Sequence, residues 1–167
     1  AKGLVKRDIV RVITPGTVLE SSMLDETRNN FICSLCAEGA QAGVCFADIS
    51  TGELHATTLA GEDLEEQLFN ELSRYSPREI LVNPDILEYK ALPAFIKERL
   101  SASLELLDSS EYEVEICEPL VLEQFQKETL DALGLEQNPL VVRAIGALLR
   151  YLKRTQRTGL ERMTEVE

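Results

Sequence analysis

No run in these 167 residues approaches the apolar length that crosses a bilayer, and residues 1–16, AKGLVKRDIVRVITPG, lack the continuous apolar core of a signal peptide. The expectation is a soluble, cytoplasmic chain with no membrane partner. Neither G-x-x-x-x-G-K-[ST] nor G-x-G-x-x-G occurs, so no nucleotide cradle is predicted. Histidine is represented by His55 alone, without a serine or cysteine nucleophile in an elbow motif, which argues against triad chemistry. The four cysteines include one C-x-x-C pair, Cys33 and Cys36, but no second pair to complete a zinc site. Positive charge is also scarce: 17 basic residues face 29 acidic ones, for a net charge of -12. That balance repels a phosphate backbone and disfavours nucleic-acid binding by the chain as a whole.

What is present reads as a mixed α/β chain, long enough to bury a core. DIVRVITPGT predicts a short strand ending at Pro15-Gly16, and residues 18–30 read as a linker. FICSLCA, GVCFADIS and GELHATTL then follow closely enough to form a three-stranded antiparallel meander. GEDLEEQLFNELSRY carries Leu64, Leu68 and Leu72 on one helical stripe and ends before Pro77, and EILV at 79–82 reads as a buried strand. Short helices broken at Pro93, a strand at ASLELL and an exposed acidic loop at DSSEYEVEICE are expected next. A helix starting at Pro119 would run through Leu122, Phe125 and Leu133 to a cap at Gly134. The last helix, from Pro139 to about Arg157, carries Ile145, Leu148, Leu149 and Leu152 at i, i+3, i+4, i+7. It looks too long and apolar for its neighbours, and its apolar face would be uncovered if the helix belonged to another domain.

Three groups invite a chemical reading. Asp48 ends an apolar run and precedes a small polar turn closed by Gly52, as catalytic carboxylates often do. Acid–base or two-metal work would need a converging carboxylate, and none lies in a similar apolar strand; the residue is therefore expected to hold the turn through its backbone donors. Cys33 and Cys36 stand at an odd offset on a strand, which sends their sulfurs to opposite faces. Arg143, Arg150, Lys153, Arg154, Arg157 and Arg162 gather near the end, and DNA contact by that helix is the alternative to a solvated face beside a packed stripe.

Taken together, KRDIVRVITPGTVLE at 6–20, GVCFADISTGEL at 43–54 and AIGALLRYLKRTQRTGLERM at 144–163 resemble consecutive landmarks of the MutS family of bacterial DNA mismatch-repair proteins. The resemblance runs over essentially the whole chain. It implies a connector domain of ribonuclease-H-like α/β fold, a mixed sheet with flanking helices in a two-layer module. Residues 1–18 would close the mismatch-recognition domain, 19–133 would form the connector, and 134–167 would open the following α-helical core domain. The family reads a mismatch with a Phe-x-Glu motif in a domain ahead of residue 1. Phe69-Asn70-Glu71 has that spelling but lies in an amphipathic helix of the wrong domain. ATP and Mg would be held by the longer protein, with no cofactor or metal here. The resemblance implies a non-catalytic segment that joins the other domains, relays nucleotide-dependent change, meets mismatched DNA only through the longer protein, and offers a surface to MutL. Glu118 and Glu123, near the start of the Pro119 helix, are the expected partner contacts. The rival is a metal-dependent nuclease or phosphotransferase of the same fold using Asp48.

Overall fold

A three-residue strand, β1 (Val10–Val12), opens the part of the chain described by the computed structural model, which covers residues 10–12 as backbone, 30–155 and 163. The expected turn at Pro15-Gly16 and linker over 18–30 fall outside the described residues, apart from Asn30. Apolar side chains on both sides of the backbone then make three strands in succession: β2 (Ile32–Glu38), β3 (Gln41–Asp48) and β4 (Glu53–Ala60). They pair antiparallel, and β1 adds antiparallel to β4 with Arg11 opposite His55. The first hairpin is tighter than the spacing of apolar runs suggests. Gln41 and Ala42 continue the ladder opposite Glu38 and Ala37, which leaves Gly39, at φ 63, and Ala40 as a two-residue turn.

Helix α1 (Leu64–Tyr75) buries Leu64, Leu68 and Leu72 and returns the chain to β5 (Glu79–Val82), parallel to β2. A 3-10 turn (Pro84–Glu88) leads to α2 (Ala91–Ala94), which runs on as a π-helical turn over Phe95–Leu100. Pro93 does not break it, because it sits in the first helical turn, where a missing N–H leaves no bond unmade. Strand β6 (Ser103–Leu106) then pairs parallel with β5, giving the order β1-β4-β3-β2-β5-β6.

The acidic stretch expected as a loop is instead a 3-10 turn, Ser109–Tyr112, followed directly by α3 (Val114–Phe125). Asp108, Glu113 and Glu115 are exposed while Tyr112 and Cys117 are fully buried, and those two anchors order the segment. Pro119 therefore lies inside α3 rather than at its start. The helix stops at Phe125 with Gln126 in the left-handed conformation at φ 56; Gly134 closes a separate 3-10 turn, Asp131–Leu133, and does not cap the helix.

The last helix, α4 (Pro139–Arg154), is where the structure departs furthest from expectation. Its apolar face is not left uncovered: Ile145, Leu148, Leu149 and Leu152 are each at most 1% exposed. Together with α3 it covers one face of the sheet, in a core that includes Ile32, Cys36, Cys45, Leu54 and Leu81. Helix α1, Ile86, Leu92 and Ile96 cover the other face, over Cys33, Leu35, Val44, Phe46 and Ile80. The result is three layers rather than two. Each large apolar side chain that α4 buries contributes about 1.5–3 kcal/mol, so the described domain depends on this helix.

Two glycines let α4 come so close. A Cβ on Gly43 of β3 would overlap the backbone of Leu140 and Val141, and one on Gly146 of α4 would overlap Cys117 of α3. The facing groups are largely backbone, which cannot yield as a flexible side chain does. Gly43→Ala and Gly146→Ala are each expected to lower the unfolding free energy by about 1–3 kcal/mol, measured by urea denaturation; values within 0.5 kcal/mol of wild type (roughly the scatter of surface substitutions) would contradict this packing.

Candidate functional site

Asp48 ends β3 at 1% exposure. Its Oδ1 accepts hydrogen bonds from the Ser50 amide at 3.0 Å and the Ser50 hydroxyl at 2.6 Å, and its Oδ2 accepts from the Asn30 amide at 3.0 Å. Its carbonyl accepts from the amides of Thr51 at 3.2 Å and Gly52 at 2.8 Å, with Gly52 at φ 82. Both carboxylate oxygens are thus engaged in closing the β3–β4 turn and tying down the chain just ahead of β2. Among the described residues, no three His, Cys, Asp or Glu side chains gather as metal ligands would.

The C-x-x-C pair divides as strand geometry requires, Cys33 into one core and Cys36 into the other. Burial pushes the thiols of Cys36 and Cys45 up to about 12 and that of Cys117 up to about 11, from an ordinary 9.0, and raises Cys33 well above that value. Deep thiols held as neutral S–H are poor nucleophiles and poor metal ligands. His55 is half-buried beside an aromatic cluster in which Phe46 stacks on Tyr75 at 4.1 Å and Phe31 meets the His55 ring edge-on at 5.9 Å. Phe69 stacks on Phe95 at 4.3 Å while Glu71 is buried, so the Phe-x-Glu spelling is packed into α1 and not presented as a wedge.

The basic residues of α4 are mostly committed within the chain. Arg143 donates from Nε to the Tyr112 carbonyl at 2.8 Å and from Nη1 to Glu38 at 3.0 Å, locking α4 to the 3-10 turn and the β2 terminus. Arg150 and Arg154 share one Glu111 oxygen, at 3.5 and 3.2 Å. Lys153 is exposed, and Arg157 and Arg162 lie outside the described residues. A free row of cations suited to a phosphate backbone is therefore absent among the described residues of α4.

Among the described residues an open, shallow concavity of about 520 Å³ lies between α3 and α4. Ile116, Pro119 and Leu120 contribute apolar surface, Glu115 and Glu123 stand on the α3 side, and Arg150, Lys153 and Arg154 on the α4 side. Of the two expected partner contacts, Glu123 lines the groove and the half-buried Glu118 does not. They stand five residues apart, about 140° around the helix axis. The reading from sequence missed the groove because it began the helix at Pro119. From Val114, the spacing of Glu115, Pro119 and Glu123 marks one helical face.

These features define a three-layer α/β domain whose polar residues brace its own turns and helix crossings. The chain belongs to the MutS domain II family, whose model matches residues 30–165. It is 36% identical over 160 residues to the DNA mismatch repair protein MutS of Ruminiclostridium cellulolyticum, covering 96% of this chain and 18% of that protein. It is 36% identical over 169 residues to MutS of Alkaliphilus oremlandii (99% and 19%), and 39% identical over 162 residues to MutS of Dehalococcoides mccartyi strain 195 (97% and 18%). The chain thus spans about a fifth of the length of these curated relatives. None of the described helices is long and apolar enough to cross a membrane.

Two outcomes follow. Asp48→Ala removes the acceptor of three hydrogen bonds at a partly buried turn and is expected to cost about 1–3 kcal/mol in thermal or urea unfolding; an unchanged midpoint would show that the turn does not need the carboxylate. The raised thiol values carry a definite sign. Above about pH 9 the unfolded chain loses thiol protons that the native chain keeps, so the stability these thiols contribute is fully present below about pH 8 and is lost as pH rises from 9 towards 11. Each thiol contributes roughly 1.4 kcal/mol per pH unit in that window. Urea unfolding across the range reads this directly, and Cys36→Ala or Cys45→Ala should flatten the slope.

Proposed function

We propose that this chain is the non-catalytic connector of a DNA mismatch-repair protein, joining the mismatch-recognition domain to the core and ATPase parts, relaying conformational change between them and offering a surface to MutL. The observation that carries this reading is membership of the MutS domain II family over residues 30–165. The strand order supports a ribonuclease-H-like sheet: an antiparallel meander whose first strand, β2, is central and is joined on its other side by parallel β5 and β6. The packing of α4 across β2 and β3 supports assigning that helix to the connector rather than ending the domain at residue 133. In this reading the chain works in the cytoplasm, mismatched DNA is met by the longer protein, and ATP and Mg are held outside this stretch.

The nuclease alternative is the weaker reading, since Asp48 Oδ1 accepts from Ser50 in the turn and Oδ2 accepts from the Asn30 amide. The test is a calorimetric titration of the chain with purified MutL from the same organism, beside a Glu118→Lys/Glu123→Lys variant and a Mg-dependent nuclease assay. The expected outcome is binding at tens of micromolar or tighter, roughly the scale of transient contacts, weakened in the variant, with no nuclease activity. Cleavage that requires Mg and is lost in Asp48→Asn would replace this reading with the enzymatic one.

A further inference from the structure

A second cavity, of about 120 Å³, lies where α4 begins, between the start of β3 and the end of β4. Gln41, Thr58, Gln137, Asn138 and Leu140 are among the residues that line it, and what they offer is mostly hydrogen-bond donors. Asn138 holds the N-cap position of α4 but makes no side-chain cap bond; its Oδ1 accepts instead from the Thr58 hydroxyl at 2.8 Å. With Oδ1 turned to Thr58, the side-chain NH2 is left on the cavity with no acceptor among the described residues, on a residue only 4% exposed. The first turn of α4 adds a backbone donor. Pro139 has no N–H, and the amides of Val141 and Val142 both donate to the Asn138 carbonyl at 3.1 Å. The Leu140 amide has no such acceptor and stands at the positive end of the helix dipole. At the rim, the exposed side-chain amides of Gln41 and Gln137 are bonded to no described residue.

A buried NH2 without an acceptor costs free energy, and a ligand oxygen in the cavity removes that cost. Free amides at a helix start favour an anion. Its charge follows from what the wall lacks: among the described residues no cation lines the cavity, and the chain carries a net charge of -12. Each further negative charge on a ligand therefore weakens binding, so one charge shared by two oxygens suits the site better than a dianion. The volume is also well below the roughly 300 Å³ at which pockets for larger ligands begin, which excludes a nucleotide.

We infer that this cavity binds a small carboxylate, one oxygen accepting from the Leu140 amide and the other from the Asn138 side-chain NH2, with the Gln41 and Gln137 amides at its mouth. The inference goes beyond the connector reading and does not depend on it.

The test titrates the 15N-labelled chain with sodium acetate, beside sodium chloride at matched ionic strength, and follows the Leu140 amide and the Asn138 side-chain NH2 by NMR. Acetate is expected to give saturable shifts at a dissociation constant of about 1–10 mM, roughly the scale of a small ligand held by a few hydrogen bonds, and chloride none. Inorganic phosphate, largely a dianion at about pH 8, is expected to bind about threefold more weakly than acetate. Asn138→Asp keeps the acceptor for Thr58 and places a carboxylate at a helix start. Its thermal midpoint is therefore expected to stay at or above that of wild type while acetate binding falls about tenfold. Gln137→Glu, at an exposed position, is expected to weaken acetate about threefold with the midpoint unchanged, and it carries the test alone if Asn138→Asp does not fold. Shifts that stay linear to about 0.1 M acetate, some ten times the weakest expected constant, overturn the inference. Equal shifts with chloride, phosphate binding tighter than acetate, or acetate binding that survives the substitutions overturn it as well.

Discussion

The structure depends on how closely α4 approaches both of its neighbours. Gly43 lets the backbone of Leu140 and Val141 lie against β3, and Gly146 lets the same helix meet Cys117 of α3. With those contacts made, one helix closes a whole face of the sheet and buries Ile145, Leu148, Leu149 and Leu152. The groove is a consequence of the same approach, since it lies between helices whose relative position those contacts set.

Polar side chains in the described domain act mainly as braces where backbone pairing ends. Asp48 closes the β3–β4 turn, and Asn83 is clamped at 4% exposure on Ala37, accepting from its amide at 2.9 Å and donating to its carbonyl at 2.8 Å. Asn138, just ahead of α4, accepts from the Thr58 hydroxyl at 2.8 Å and so ties the helix start to β4. The Asn83 and Asn138 braces join segments far apart in sequence, and each of the three would leave donors or acceptors unmatched if truncated.

Some of this was legible beforehand for local reasons. Period-two alternation marked the meander, a four-residue leucine stripe marked α1, and an odd offset on a strand separated Cys33 from Cys36. The placing of Asp48 at a turn rich in backbone donors was likewise a local inference. The start of α3 was misread because Pro119 is more common at the first position of a helix than within one; the burial of Tyr112 and Cys117, which extends the helix back to Val114, is a long-range effect. Of the two expected contact residues, Glu123 lines the concavity between α3 and α4 together with Glu115 and Pro119, and Glu118 does not.

By itself the sequence determined most of the element types and the family, because these are written in periods, short motifs and extended similarity. Tertiary structure alone decided where α4 goes and what its cations do. An apolar stripe states that a helix must be covered without naming the cover, and Arg143, Arg150 and Arg154 read as a solvated basic row until Tyr112, Glu38 and Glu111 were brought against them. Those partners are distant in the chain, and only the closed fold brings them within bonding distance.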